Sequence, residues 1–256
     1  MITSLEYPSS ITILASDKNN KYLAAGFADG TIKILDLSNL SNPKELATIN
    51  LNNQILALSF STDSDIPYLA SGSSNGKINI WDISDITKPE LHTTFYDPNN
   101  SILQLWFHPT DPNMLISISS STIMQMSNTI NIWDLTTGKV VTTFTPTTGY
   151  GSGGYQGASL NPQKAYIAIR LWGGIVIWDY SKNKVIKTIP CPSQGDYIRV
   201  LAFGGPKGEF LASYNRPKVS RAPLSNSECG KYVYLNYLRS KGIVPKHKAP
   251  PYNIII

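Results

Sequence analysis

Four aspartates recur in the chain at similar intervals, and repeated carboxylates suggest acid–base catalysis. They are Asp36, Asp82, Asp134 and Asp179, and Asn236 stands where a fifth would fall. Each follows a short run of alternating apolar residues and precedes a turn. Because a carboxylate in that place accepts backbone N–H bonds, we interpret these aspartates as structural and not catalytic.

The other residues able to do chemistry form no known catalytic or metal-binding pattern. His92, His108 and His247 are scattered, and Cys191 and Cys229 lie far apart. The chain contains no H-x-x-x-H and no C-x-x-C motif, and its G-x-S-x-G match at residues 72–76 (GSSNG) runs into a hairpin turn and a strand segment, whereas a nucleophile elbow needs a helix there. Metal-dependent and serine hydrolysis therefore lack the patterns they need, and the sequence predicts no catalytic residues, no metal site and no cofactor.

The segments that must position the aspartates have the periodicity of β-strands. In residues 77–83 (KINIWDI) the apolar side chains alternate, the residues are β-branched or aromatic, and Asn75-Gly76 precedes the run as a hairpin turn signal. Four more segments repeat the pattern: 31–37 (TIKILDL), 129–135 (TINIWDL), 174–180 (GIVIWDY) and 231–237 (KYVYLNY). The repeat spacing of 45 to 57 residues indicates a repeat architecture.

The Trp-Asp pairs in three of these segments resemble the WD-repeat (WD40) β-propeller family. The pairs are Trp81-Asp82, Trp133-Asp134 and Trp178-Asp179, and the resemblance covers roughly residues 11–238. It implies that the tryptophans pack between sheets. No Gly-His dipeptide precedes any repeat, so whether the family's buried His–Asp network forms is left open. Five units can be counted, whereas the family's usual ring has about seven.

The fold expected from these repeats is all-β, a WD-repeat propeller of about five four-stranded blades. A sheet with two apolar faces is not stable alone, and stacking neighbouring sheets covers those faces. Whether five blades close a ring, or the chain is incomplete or a fragment of a larger ring, stays open. The expected blades span about 11–51, 55–97, 102–146, 154–191 and 197–238; residues 1–10 and the basic tail 239–256 could each supply a closing strand.

Charge is unevenly distributed, because residues 201–256 hold nine Lys or Arg against two Glu, within a chain of net charge +5. Such a region could bind nucleic acid or an anionic membrane, and residues 216–248 are the candidate. We favour the simpler interpretation, that this region is a solvated loop and tail. The amino-terminal residues lack the pattern of a secretory signal, and no apolar run is long enough to span a membrane.

The resemblance implies a non-catalytic scaffold or complex subunit that presents loops to partner proteins or peptides. The residues chosen from strand-end positions as candidate contacts are Phe27, Ser73, Met124, Trp172 and Tyr214, and the basic insertion adds Arg216, Lys218 and Arg221. The expected location is the cytoplasm or nucleus. The alternatives are the anionic-surface binder and an enzyme that uses loop residues, because loops on a rigid scaffold often carry function.

Overall fold

The computed structural model describes residues 5–61, 67–98, 100–121, 128–147, 155–161, 163–171, 174–190, 197–204 and 210–216. Eighteen β-strands and their turns account for the secondary structure of these residues. None of the described residues forms a helix able to cross a membrane. The chain divides into two compact units, residues 1–146 and 147–256.

Each strand is short and joins the next by a turn or connection. The strands are β1 Ile11–Ser16, β2 Tyr22–Phe27, β3 Thr31–Asp36, β4 Lys44–Asn50, β5 Ile55–Phe60, β6 Tyr68–Ser73, β7 Lys77–Asp82, β8 Glu90–Tyr96, β9 Asn100–Phe107, β10 Met114–Ser121, β11 Asn128–Asp134, β12 Lys139–Phe144, β13 Tyr155–Leu160, β14 Tyr166–Leu171, β15 Gly174–Asp179, β16 Lys184–Pro190, β17 Tyr197–Gly204 and β18 Phe210–Arg216.

The strands form four antiparallel four-stranded sheets in chain order, β1–β4, β5–β8, β9–β12 and β13–β16. The predicted segments supply the third strand of each, so the all-β, blade-type fold class is confirmed. Strands β17 and β18 pair as two strands of a further sheet. The fifth repeat at 231–237 and the tail lie outside the described residues, and residues 5–10 are not in a strand.

In the first unit, glycines on the second strands make room for the next sheet. A Cβ on Gly26 would lie 2.7 Å from Ile55 Cγ2, and one on Gly72 would lie 2.4 Å from Ile102 Cγ2. Ile55 and Ile102 are fully buried; Ile55 is the first residue of the inner strand β5, and Ile102 is the third residue of the inner strand β9. The same glycine–isoleucine contact therefore joins the first sheet to the second and the second to the third.

The outer strands complete these contacts by covering the next sheet's third strand. Phe95 at the end of β8 stacks on Trp133 of β11, with ring centroids 5.4 Å apart and planes 8° apart. Ile49 of β4 and Trp81 of β7 belong to one buried cluster in the same way. Strands β4 and β8 thus each contribute one apolar side chain to the core they share with the next sheet, which is the packing that the repeats require.

The second unit has its own apolar cluster, and it follows the same arrangement. Ala168, Ile175 and Leu211 are buried together. The backbone N–H of Phe203 in β17 donates to Ser159 Oγ in β13 at 3.0 Å. Inner strands β13 and β17 are therefore linked directly, as inner strands of successive blades should be.

All four outer strands carry a β-bulge at the same place. The pairing skips one residue opposite the Leu35, Trp81, Trp133 or Trp178 position, and the skipped residues are Leu46, His92, Val141 and Ile186. A bulge bends and twists its strand, which makes an exposed sheet edge a poor template for pairing with another chain.

The turn after each inner strand is held by the first residue beyond the strand. Those residues are Asp17, Ser61, His108 and Asn161, and each backbone N–H donates to the residue that opens the next strand. Their side chains also accept backbone N–H groups. His108 Nδ1 accepts Asp111 N at 3.0 Å and Thr110 N at 3.3 Å, while Asn161 Oδ1 accepts Gln163 N and Lys164 N at 2.9 and 3.0 Å.

We expect Gly72→Ala to lower the free energy of unfolding by about 1–3 kcal/mol, because overpacking forces Ile102 or the β6 backbone to shift. Denaturant melts measure this change. In the Ile102→Ala background the same substitution should cost less, since the nearest contacting methyl is gone. An equal cost in both backgrounds would show that the glycine is needed for another reason.

We expect stability to fall as the pH drops below about 6.5, the ordinary pKa of histidine, because burial lowers the pKa of His108 despite the opposing effect of Asp111. The unfolded chain then binds more protons than the folded chain, so acid favours unfolding. His108→Asn, which copies Asn161, should flatten the melting temperature between pH 7 and pH 5. A variant with the wild-type pH dependence would rule out this turn as its source.

Candidate functional site

The four repeated aspartates end their strands and bind the turns that follow. Asp36, Asp82, Asp134 and Asp179 each use Oδ1 to accept the backbone N–H two residues later, at 2.7, 2.8, 2.8 and 3.1 Å. In the last three turns a hydroxyl also donates to the same oxygen, at 2.6, 2.5 and 2.7 Å. Each carboxylate is thereby engaged within its own turn.

These hydrogen bonds keep the four carboxylates ionised. Bonds from Ser38, Ser84 and Thr136 lower the pKa of Asp36, Asp82 and Asp134, the last to about 2. Burial would raise the pKa of Asp179, but the bonds from Ser181 and Lys182 outweigh it and lower the pKa. A carboxylate with a depressed pKa that is bound to its own turn is a poor general base at neutral pH.

The tryptophans beside these aspartates are buried, and each indole N–H has a partner. Trp81 and Trp133 Nε1 donate to Ser71 and Ser117 at 2.9 and 2.8 Å. Those serines face Asn79 and Asn131 across β6–β7 and β10–β11. Trp81 and Trp133 therefore fix the second strand to the third within the second and third sheets.

The fourth sheet satisfies its tryptophan differently. Its equivalent second-strand position is Ile169, which pairs with Val176 and offers no hydroxyl. Trp178 Nε1 donates instead to Asn183 Oδ1 in the next turn, at 3.2 Å.

Nearby, burial and the charge of Asp179 raise the pKa of Tyr180 to about 12.

At the opposite end of the first unit's sheets, asparagine and aspartate form buried and partly buried polar contacts. Asn75 Nδ2 donates to Asn53 Oδ1 at 2.7 Å, which links a hairpin turn to the connection before β5. Asp97 accepts Ser119 Oγ at 2.7 Å and Asn131 Nδ2 at 3.3 Å from the third sheet. None of these three contacts involves a histidine, and no motif search would have singled them out.

Backbone hydrogen bonds at the same end join each hairpin turn to the connection that leads to the next sheet. Leu51 N donates to Gly30 O at 3.0 Å, and Asp97 N donates to Gly76 O at 2.9 Å. Both glycines have positive φ, and a Cβ would lie 2.3 Å from Leu51 O or 2.1 Å from Asp97 O. Only glycine permits this approach, so each hairpin turn anchors the connection to the next sheet.

We call this end of the first unit the connection face: residues 7–10, 28–30, 51–54, 74–76 and 96–98. Its exposed side chains are mostly uncharged and include Asn52, Gln54 and Tyr96, whose side chain is 57% exposed. The segment before β1 belongs to it, because Ala28 N donates to Ser10 O just as Ser74 N donates to Gln54 O. Tyr7 packs edge-on against Phe27 at 5.1 Å.

Two of the proposed contact residues are corrected in position. Phe27 is 1% exposed and Ser73 is 6% exposed, because both end second strands that turn inward at the connection face. Phe27 lies under Tyr7, and Ser73 Oγ donates to Asn75 Oδ1 at 2.8 Å. Neither was the exposed loop residue that strand-end position suggested, so neither side chain is available for direct contact in this structure.

The other proposed contact residues stay predictions. Met124, Trp172, Lys218 and Arg221 lie outside the described residues, as does nearly all of the basic region 216–248. Tyr214 and Arg216 lie in β18, where their backbone is described.

A groove of about 290 Å³ runs over the inner strands of the first unit. Stretches of β1, β5 and β9 line it with twelve residues that include Leu14, Ser59 and Trp106, and none of the twelve carries a charge. Elsewhere in the described part of the chain, no group of three or more His, Cys, Asp or Glu could hold a metal ion.

Comparison with known proteins agrees with this geometry. Residues 2–36 and 43–82 match the model of the WD domain, G-beta repeat. A chain in a structure titled "Crystal Structure of Mitotic Checkpoint Complex" superimposes with a TM-score of 0.61 at 20% sequence identity, covering 80% of this chain. This chain spans 60% of that chain's length. No curated protein sequence matches. The repeats and the family-model match support a WD-repeat family, and the four-stranded sheets and the structural match show a fold of the β-propeller type.

Proposed function

We propose that this protein is a non-catalytic interaction scaffold, or a subunit of a complex, that binds partner proteins through the connection face. The observation that carries the proposal is the anchoring of that face. Its exposed side chains stand on backbone that Gly30 and Gly76 bind directly. A surface already ordered loses little conformational entropy when a partner binds.

The side chains of the connection face also have the chemistry of a protein-binding surface. Asn52 and Gln54 offer amide donors and acceptors, and Tyr96 offers a rigid amphipathic ring, a residue type enriched at interfaces. The partly buried Asn75–Asn53 contact supports the loop that carries Asn52 and Gln54. Partner recognition would therefore depend on hydrogen bonds and ring contacts more than on charge.

Two further observations favour this function, one over catalysis and one over a protein that acts without partners. The four repeated carboxylates are engaged in their own turns, so the residues that first suggested chemistry are occupied. The similar solved chain belongs to a structure titled as a complex. That title describes the other protein, and it supports membership of a complex as a proposal for this one.

We expect Gln54→Ala combined with Tyr96→Ala to abolish or strongly reduce capture of partner proteins, because both side chains lie exposed on the connection face. Quantitative mass spectrometry of proteins captured on the wild-type and variant chains measures this loss. Leu40→Ala is the matched control, since Leu40 is 67% exposed in the turn at the opposite end of β4.

Capture that survives the connection-face variant and is lost with Leu40→Ala would contradict the proposal. The anionic-surface alternative has a separate signature, because binding through Lys218 and Arg221 would weaken steeply with salt. Binding of duplex DNA or anionic vesicles that is lost on Lys218→Glu with Arg221→Glu would favour that alternative.

A further inference from the structure

The outer strand of the fourth sheet, β16, exposes an unusual combination of side chains. Every residue from 181 to 188 is exposed. Within that stretch, Val185 and Ile186 are 40% and 48% exposed, and Lys184 and Lys187 flank them. Two adjacent aliphatic side chains between two lysines make a small surface that is both apolar and cationic.

Among the described residues, two of the three lysines on this surface have no carboxylate partner. Lys184 and Lys187 form no ion pair with any residue in the described part of the chain. Lys182 lies 3.6 Å from Asp179, but that carboxylate already accepts Ser181 and Lys182 backbone N–H groups. Lys164 lies at the same end of the sheet, because Tyr166 pairs with Asp179 and Asp179 with Lys184.

The outer strands of the first unit differ in charge. Lys33 reaches Glu45 of β4 at 2.8 Å, and Lys88 reaches Glu90 of β8 at 3.6 Å, so those strands carry carboxylates paired with lysine. Strand β12 also exposes two adjacent valines, Val140 and Val141, but it carries one lysine, Lys139. Strand β12 therefore offers the same aliphatic pair with less charge.

The wider charge distribution reinforces the contrast between the two units. Residues 147–256 contain fifteen Lys or Arg and four acidic residues, whereas residues 1–146 contain seven Lys and thirteen acidic residues. An acidic partner is therefore attracted to the second unit and repelled by the first.

The bulge at Ile186 decides how a partner can lie on this surface. Because Lys187 pairs with Ile177 and Val185 with Trp178, Ile186 is unpaired and the strand twists there. A twisted, bulged edge disfavours addition of another strand to the sheet. A partner would therefore contact the side chains of β16 and not extend its backbone ladder.

We propose that Lys182, Lys184, Val185, Ile186 and Lys187, called the β16 patch, bind an acidic segment of a partner protein that also carries apolar side chains. Partner carboxylates pair with the lysines, and its apolar side chains cover Val185 and Ile186. Nucleic acid lacks aliphatic side chains to cover them. A membrane surface fits less well, because these short side chains do not extend past the lysines. This inference rests on the proposed scaffold function and names a second contact surface for it.

The test uses the full chain and a fluorescent synthetic peptide in which Glu and Asp alternate with Leu and Phe. Anisotropy titration gives its Kd at low and moderate salt. We expect Lys184→Glu with Lys187→Glu to weaken binding about tenfold or more, because two attractions become repulsions. Val185→Ser with Ile186→Ser should weaken binding several-fold, and Lys139→Glu on β12 should leave the Kd unchanged. All substituted side chains are exposed, and matching melting temperatures will confirm that each variant folds.

Three results would overturn the inference. The first is equal affinity for a peptide with Gln and Asn in place of the acids, and the second is equal weakening by Lys139→Glu. The third is no detectable binding of the peptide together with binding of anionic vesicles or duplex RNA that depends on the same lysines. If the β16 variants bind the peptide like the wild type while the connection-face variant still loses partner capture, only this inference fails. If the β16 variants weaken peptide binding as expected but the connection-face variant keeps partner capture, the proposed function fails.

Discussion

The contact between a second-strand glycine and the first isoleucine of the next sheet is the constraint on which the first unit depends. A four-stranded sheet of this size has two apolar faces and cannot bury either of them without a neighbouring sheet. Gly26 and Gly72 remove the side chain that would hold the sheets apart, and Ile55 and Ile102 fill the space. The outer-strand side chains Ile49 and Phe95 then cover the next sheet's tryptophans.

The two ends of the first unit's sheets use their polar residues for different purposes. At the aspartate end, each carboxylate is bound within its own turn, so the groups that suggested chemistry only stabilise local structure. At the connection face, Asn53, Asn75 and Asp97 link one sheet to the next. Bonds between sheets fix the relative position of loops from different repeats, which is what a recognition surface needs.

The sequence therefore predicted that residues near strand ends would form the candidate site, but it did not predict which of those residues are exposed. Strand-end position was the argument for Phe27 and Ser73, yet both second strands end under neighbouring residues. The useful exposed positions, Asn52, Gln54 and Tyr96, lie in and beside the connections. A sequence pattern of period two shows which residues share a face of a strand, but it does not show which strand ends are covered by another segment.

The sequence alone determined the repeat, the all-β class, the third strands and the turn glycines, because alternation, Trp-Asp pairs and Asn-Gly turns are local signals. Tertiary structure decided which polar residues meet. Asn53 and Asn75, or Asp97 and Ser119, are 22 residues apart and come together only when connection and turn are packed. It also decided that Lys33 is paired with Glu45, whereas Lys184 and Lys187 form no ion pair within the described part of the chain, since ion pairing depends on the facing strand and not on the residue's own neighbours.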